Sequence, residues 1–93
     1  MIKLIIKNID NHLYYLKDDK NNSYEIIIEF QKLNEIPRTN DYLYISEVLL
    51  NEKMITLGPL GSIYGRKITN PSDDDIAILE IEGEKIYLQR YYG

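Results

Sequence analysis

The sequence predicts one all-β domain, a small antiparallel barrel that spans residues 1–93. Short runs in which apolar and polar residues alternate are typical of strands with one buried face. Clusters of Asn, Asp and Gly separate these runs and favour tight turns. A chain of 93 residues is long enough for one modest core and too short for two.

The first three strands are expected to form an antiparallel meander over residues 2–7, 12–17 and 23–30. The pair Asp10-Asn11 and the run DDKNN supply the two turns. The third strand has the clearest alternation, with one side made of Tyr24, Ile26, Ile28 and Phe30 and the other of Glu25, Ile27 and Glu29. Two carboxylates on the second side indicate that this side meets solvent.

An extended loop is expected over residues 31–41, because Pro37 disfavours helix at the residue before it. A fourth strand follows over residues 42–45, and Ser46 is a candidate cap for one helical turn. A further strand is expected over residues 54–57. The pattern leaves room for at most one short helical turn in the whole chain.

A second hairpin ends the chain, with strands over residues 76–81 and 84–90. Its turn is at Glu82-Gly83, where glycine suits the positive φ of a two-residue hairpin turn. Three meander strands, a longer connection and a further strand pair favour an OB-like barrel, with an SH3-like barrel as the alternative.

The stretch TLGPLGSIYGRKI, residues 56–68, holds three of the five glycines and raises the question of a phosphate-binding loop. Such a loop needs two glycines five positions apart, then Lys and Ser or Thr, on a turn that leads into a helix. Neither Gly58 nor Gly61 has a glycine at that spacing. We interpret Gly58–Gly65 as a bend between strands, allowed by Gly58-Pro59 and Gly61. A function for this stretch is left open.

Composition argues against several classes of function. The chain has no cysteine, and His12 is its one histidine, so zinc sites and serine or thiolate catalysis lack their usual residues. We therefore expect no catalytic residue, no metal site, no cofactor and no enzyme activity. No apolar run approaches a membrane span, and Lys3 and Lys7 interrupt the first apolar run. The expectation is a cytoplasmic protein without membrane attachment.

Clustered carboxylates do not change this expectation. The triple Asp73–Asp75 offers oxygen ligands, but it lacks the spacing and the glycine of a calcium loop, and a solvated loop is the simpler interpretation. Glu80, Glu82 and Glu84 surround a hairpin turn, where exposed carboxylates are common.

Two segments that combine tyrosines with cations are the main candidates for a partner-binding patch. The candidate residues are Tyr64, Arg66, Lys67, Arg90, Tyr91 and Tyr92. Arginine can bind a carboxylate or phosphate with two hydrogen bonds, and tyrosine offers apolar area with a polar tip. The segments form one patch if the last strand pairs beside residues 63–68. The alternative is that the tyrosines close the barrel end and the arginines pair with nearby carboxylates.

Tyr42 and Tyr44 form a secondary aromatic patch. They share one face of the fourth strand, while Leu43 and Ile45 share the other. If the aliphatic pair is core, both rings stand outside, where they could stack on a ligand. Covering the loop over residues 31–41 is the alternative role.

Three stretches carry a resemblance to a known family: NDYLYISEVLL, GPLGSIYGR and the terminal YLQRYYG. With these stretches the whole chain resembles a family of small uncharacterised OB-like β-barrel proteins of low-GC Gram-positive bacteria. The resemblance implies that the glycine-rich stretch and the C-terminal segment belong to one recurrent architecture. It implies no activity, and no functional residue is carried over from it.

These observations predict a non-catalytic binding or adaptor module whose partner is another protein. The alternative is an OB-type binder of single-stranded nucleic acid that uses the side of Tyr64, Arg66 and Arg90. A net charge of −4 and the outward Glu25 and Glu29 disfavour it, because carboxylates repel phosphates. Oligomeric state is left open, since an exposed edge strand can pair with its twin.

Overall fold

The structure, a computed structural model, describes residues 1–30, 33–51, 60–64, 67–68, 75–81 and 83–92. At residues 60–64, 67–68 and 81 the backbone alone is described. Residues 47–51 are helical. The strands are β1 (Ile2–Asp10), β2 (Leu13–Lys17), β3 (Ser23–Glu29), β4 (Tyr42–Ile45), β5 (Leu60–Tyr64), β6 (Lys67–Ile68), β7 (Asp75–Ile81) and β8 (Glu84–Gln89).

All these strands belong to one sheet, in the order β5-β3-β2-β1-β4-β8-β7-β6. Neighbouring strands are antiparallel except β3 and β5, which run parallel. The predicted all-β antiparallel class is confirmed, as are the β1–β2–β3 meander and the β7–β8 hairpin. The choice between OB-like and SH3-like connectivity stays a prediction.

One hydrophobic cluster lies against the inner face of the sheet. Six strands contribute its largest fully buried side chains: Leu4, Ile6, Leu16, Ile26, Ile28, Leu43, Ile45, Leu79, Ile86 and Leu88. Leu49 and Leu50 of the helical turn are also buried in it. Because a single sheet supplies most of one cluster, the sheet curls around its own inner face, as in a small barrel.

β1 lies at the centre of the sheet and changes neighbours along its length. Residues 2–5 pair with β4, and residues 5–10 pair with β2. The register shifts at Lys7, and such a bulge bends a strand and increases its twist. Ile6 N donates to Asp41 O at 2.9 Å, and Asn40 N donates to Ile6 O at 2.8 Å. The end of the long loop is therefore bound to β1 before β4 begins.

The alternation predicted for β3 and β4 is confirmed. Four of their inward side chains are fully buried: Ile26, Ile28, Leu43 and Ile45. Tyr24, on the same side of β3, is half-buried and packs against the core. Glu25 and Glu29 are exposed on the outer face, as expected. Tyr42 and Tyr44 also lie on the outer face, where each is half-buried.

The predicted turns are confirmed by their backbone angles. Asn11 and Gly83 have φ values of 59° and 82° in the two hairpin turns. Asn21, with φ of 66°, lies in the turn between β2 and β3. In that turn the Asp18 carboxylate accepts hydrogen bonds from the backbone N and the side-chain Nδ2 of Asn22, both at 2.9 Å. Both bonds lower the pKa of Asp18, and the bond from Asn22 Nδ2 has the larger effect.

The middle of the chain also follows the prediction where it is described. Residues 33–41 contain no helix or strand. Ser46 caps the helical turn, because its Oγ accepts a hydrogen bond from Leu49 N at 3.1 Å and its backbone O accepts one from Leu50 N at 3.0 Å.

The interpretation of Gly61 as part of a bend is wrong. Gly61 lies inside β5, opposite Ile26 of β3, and a parallel ladder requires extended backbone at that position. The strand expected over residues 54–57, and Gly58, Pro59 and Gly65, lie outside the described residues.

Asp75 also differs from its expected place in a solvated loop. It is the first residue of β7 and is buried, and its Oδ1 accepts a hydrogen bond from Gln89 Nε2 at 2.7 Å. The amide of a neighbouring strand compensates for the water that this carboxylate loses on burial. Asp73 and Asp74 lie outside the described residues.

Among the described residues, Tyr14 is the largest buried side chain with a polar group. The residue is 4 % exposed, and its ring packs edge-to-face on Phe30 with centroids 6.0 Å apart. Among the hydrogen bonds that the described residues make, none involves its hydroxyl. Burial raises the pKa of Tyr14 from 10.0 to about 12. A buried hydroxyl without a partner destabilises the fold.

We expect Tyr14→Phe to raise the free energy of unfolding by about 1 kcal/mol, because the variant keeps the ring and removes the unbonded hydroxyl. Urea denaturation at neutral pH measures this. The matched control is Tyr24→Phe, which loses a hydrogen bond from the Tyr24 hydroxyl to Asp18 Oδ2 and is expected to be slightly less stable than wild type.

The pH dependence of stability provides a second test with the same variant, Tyr14→Phe. The unfolded chain releases the Tyr14 proton near its ordinary pKa of 10.0, before the folded chain does near 12. Titration of Tyr14 therefore leaves the stability of the wild type unchanged below pH 10 and lowers it as the pH rises through 12. The difference in stability between wild type and Tyr14→Phe is expected to change over that interval. A variant less stable than wild type at neutral pH would contradict the assignment.

Candidate binding surface

Tyrosines from three elements meet on the outer face of the sheet. Tyr44 of β4 lies opposite Lys3 of β1 on one side and Tyr87 of β8 on the other. Tyr42 is two residues before Tyr44 on the same strand, and Tyr91 follows β8. We call Lys3, Tyr42, Tyr44, Tyr87 and Tyr91 the aromatic face.

Tyr42 is the centre of the contacts within the aromatic face. Its ring centroid is 6.2 Å from that of Tyr44 and 5.5 Å from that of Tyr91, with interplanar angles of 62° and 87°. These edge-to-face arrangements are the favourable ones for neighbouring aromatic rings. Lys3 Nζ lies 4.7 Å from the centroid of the Tyr42 ring, within the range of a cation–π interaction.

Two shallow clefts flank these rings. One has a volume of about 310 Å³ and is lined by Ile5, Lys7, Asn40, Tyr42 and Tyr91. The other has a volume of about 270 Å³ and is lined by Met1, Tyr44, Tyr87 and Gln89. Each cleft is therefore lined by two tyrosines of the aromatic face, and Tyr42 of the first contacts Tyr44 of the second.

Charges on the outer face are segregated by strand. The outward positions of β1, β2, β4 and β8 carry the cations Lys3, Lys7, Lys17 and Lys85. Asp10, at the far end of β1, is the one carboxylate among those outward positions. The outward carboxylates Glu25 and Glu29 lie on β3, and Glu80 lies on β7. Three of the four lysines lie on β1 and β2, whereas β4 carries no charge and Lys85 of β8 lies opposite Glu80. In a chain of net charge −4, the strands beside β4 on the β1 side are thus locally cationic.

Arg90 lies beside the aromatic face but is bound to carboxylates. Its Nη1 donates to Asp41 Oδ2 at 2.8 Å, and its Nη2 donates to Glu35 Oε2 at 2.6 Å and to Ile36 O at 3.0 Å. The guanidinium side chain is 9 % exposed. Arg90 therefore binds the long loop to the end of β8 and pairs with nearby carboxylates, which is the predicted alternative to partner binding.

The buried Asp41 carboxylate binds the backbone of the long loop and of the segment after β8. The residue is 2 % exposed. Besides Arg90, its carboxylate accepts hydrogen bonds from Arg38 N at 2.7 Å and from Tyr91 N at 3.1 Å. The bond to Tyr91 N fixes the chain direction after β8, and this direction brings the Tyr91 ring onto Tyr42.

The structure separates the residues of the predicted patch. Both edges of β8 are occupied, one by β4 and the other by β7, so the last strand does not pair beside residues 63–68. Tyr64 lies in β5 next to β3, and Lys67 lies in β6 next to β7. Tyr92 is exposed. Arg66 lies outside the described residues.

The structure instead joins Tyr91 to the secondary patch of Tyr42 and Tyr44. Sequence reasoning missed Lys3 and Tyr87 as members of this surface. The alternation in IKLIIK and KIYLQ places both on the outward side, so their direction was open to prediction. Their proximity to Tyr42 and Tyr44 depends on β4 lying between β1 and β8, which no local pattern encodes.

Comparisons with known proteins found no match among protein-family models, curated proteins or solved structures. The family resemblance drawn from the sequence stays a prediction. In the described part of the chain, no three acidic or histidine side chains are grouped so that they could hold a metal ion. No helix there has the length and apolar character to cross a bilayer.

We expect Arg90→Ala to lower the free energy of unfolding by about 3 kcal/mol, because it leaves the buried Asp41 carboxylate without its cation. The matched control is Glu35→Ala. Its side chain is 58 % exposed, so the loss is expected to stay below about 1 kcal/mol. Urea denaturation of both variants measures the difference, and equal small losses would show that the Asp41–Arg90 pair is not structural.

Proposed function

We propose that this chain is a non-catalytic binding module that docks an acidic segment of a protein partner on its aromatic face. The observation that carries the proposal is that the clustered tyrosine rings lie next to the locally cationic strands β1 and β2 of an acidic protein. The proposed setting is the cytoplasm, as the composition predicts.

The tyrosines supply contact area at low entropic cost. Tyr42, Tyr44 and Tyr87 are half-buried, so their rings are partly held in place before a partner arrives. A rigid ring with a polar tip is favoured at protein interfaces, because few rotamers are lost when the partner packs on it. Edge-to-face contacts between neighbouring rings restrict them further.

The lysines supply charge complementarity. Lys3, Lys7 and Lys17 lie on adjacent strands β1 and β2. At physiological ionic strength, charges farther than about 8 Å apart are largely screened. An approaching acidic segment therefore senses these local cations more than the net charge of −4. Such complementarity raises association rates and selects against basic partners.

Single-stranded nucleic acid is the second candidate. Cations beside aromatic rings are also the features on which single strands stack. Because Asp41 and Glu35 occupy the Arg90 guanidinium, such binding would use the aromatic face instead of the side first considered. Glu25 and Glu29, exposed on β3 next to β2, disfavour a phosphate backbone there. An acidic protein segment can avoid β3, so we place a protein partner first.

The test is affinity capture from native cytoplasm with a matched pair of charge variants. Lys3→Glu and Lys20→Glu change the net charge equally, but Lys20 lies in the exposed turn between β2 and β3, away from the rings. We expect Lys3→Glu to reduce the captured partner by about tenfold and Lys20→Glu to leave it within about twofold. The capture is expected to survive nuclease treatment.

Two outcomes would contradict the proposal. Equal losses for both charge variants would show that overall charge, and not the aromatic face, governs capture. Capture that disappears after nuclease treatment would establish nucleic acid as the partner. Tyr44→Ser tests whether the rings of the aromatic face contribute in addition to Lys3. Its matched control is Tyr92→Ser, which removes an exposed ring outside the aromatic face.

A further inference from the structure

Apart from the two clefts at the aromatic face, a further concave site lies at one end of the sheet, between the β1–β2 turn and the long loop. It is a cavity of about 360 Å³ whose walls include Tyr14, Phe30, Leu33 and Ile36, with His12 among the polar lining residues. This volume lies at the lower end of the range of small-molecule pockets. The cavity shares no lining residue with the aromatic face.

Large apolar side chains remain exposed at the cavity. Ile36 is 81 % exposed and Leu33 is 45 % exposed. Single exposed aliphatic residues are common, but here two of them border a concave and mainly apolar surface. A bound apolar group would remove both from water.

The loop that carries these two residues is held in place by polar contacts. Asn34 N donates to Ile76 O at 2.7 Å, and Asn34 Nδ2 donates to Asp75 O at 3.0 Å. Ile36 O accepts the hydrogen bond from Arg90 Nη2 at 3.0 Å. The loop is therefore anchored to β7 and to the end of β8, and its backbone is held at the border of the cavity.

Tyr14 adds a specific polar group to an apolar wall. The residue is 4 % exposed and lines the cavity, and its hydroxyl makes no hydrogen bond with any described residue. Buried hydroxyls in folded proteins are nearly always bonded. A cavity next to such a group has a place for the missing acceptor.

We propose that this cavity binds a small, uncharged, mainly apolar molecule whose carbonyl oxygen accepts a hydrogen bond from the Tyr14 hydroxyl. Ile9, Phe30, Leu33 and Ile36 contact its apolar body. An uncharged ligand fits because the deep wall is apolar and a buried charge without a partner is costly. The site goes beyond the proposed function and is independent of the aromatic face.

The experiment compares two probes of nearly the same shape, 2-acetylnaphthalene and 2-ethylnaphthalene, of which only the first has a carbonyl acceptor. Binding to the full chain is followed by backbone amide NMR. We expect shifts at Asn11, His12 and Leu33, and an affinity for the ketone about tenfold higher than for the hydrocarbon, because a site built around a polar group rejects ligands that lack its partner.

Two variants make the outcome decisive. Tyr14→Phe keeps the ring and is expected to bind both probes with equal affinity, which assigns the discrimination to the hydroxyl. Lys3→Glu is expected to bind both as wild type does, which separates this site from the aromatic face. Equal affinities for the two probes in the wild-type protein, or shifts confined to Tyr42, Tyr44 and Tyr87, would overturn the proposal.

Discussion

The buried ion pair of Asp41 and Arg90 is the interaction on which the rest of this structure depends. Asp41 lies where the long loop meets β4, and Arg90 lies where β8 ends. Their 2.8 Å contact therefore joins two parts of the chain that are 49 residues apart in sequence. Because both side chains are almost entirely buried, each carries a desolvation cost, which the ion pair and the further hydrogen bonds of both side chains compensate. An alternative packing that separated Asp41 from Arg90 would leave a buried charge unpaired, so the cost disfavours such packings.

Both candidate binding surfaces follow from that pair. On one side, Asp41 Oδ1 accepts the hydrogen bond from Tyr91 N, which turns the chain so that the Tyr91 ring packs on Tyr42. On the other side, Arg90 holds Glu35 and Ile36 O, which keeps the loop at the border of the cavity. One polar cluster thus positions an aromatic, cationic surface and an apolar cavity.

Charge segregation is the second organising feature. The chain is acidic overall, yet the outward positions of its central strands carry four lysines and one carboxylate. The other outward carboxylates of the described residues, Glu25, Glu29 and Glu80, lie on β3 and β7, which flank this region. Since screening weakens interactions beyond about the Debye length, a partner close to the surface senses the local pattern more strongly than the net charge. Net charge alone is therefore a poor guide to the partners of a small sheet.

The sequence by itself determined the local features of this protein. Alternation identified the strands and their buried faces, as in Ile26 and Ile28 against Glu25 and Glu29, because side-chain direction in a strand has a period of two residues. Asn, Gly and Ser marked turns and the helical cap, because their effects act over a few residues. Even the outward direction of Lys3 and Tyr87 was encoded in this way.

Only the tertiary structure decided which strands are neighbours. The parallel pairing of β3 with β5 placed Gly61 inside a strand, and the position of β8 between β4 and β7 separated Arg90 from residues 63–68. The burial of Asp75 and the unbonded hydroxyl of Tyr14 have the same origin. Strand partners and cavities depend on contacts between residues far apart in sequence, and these are selected by the packing of the whole core and not by any local pattern.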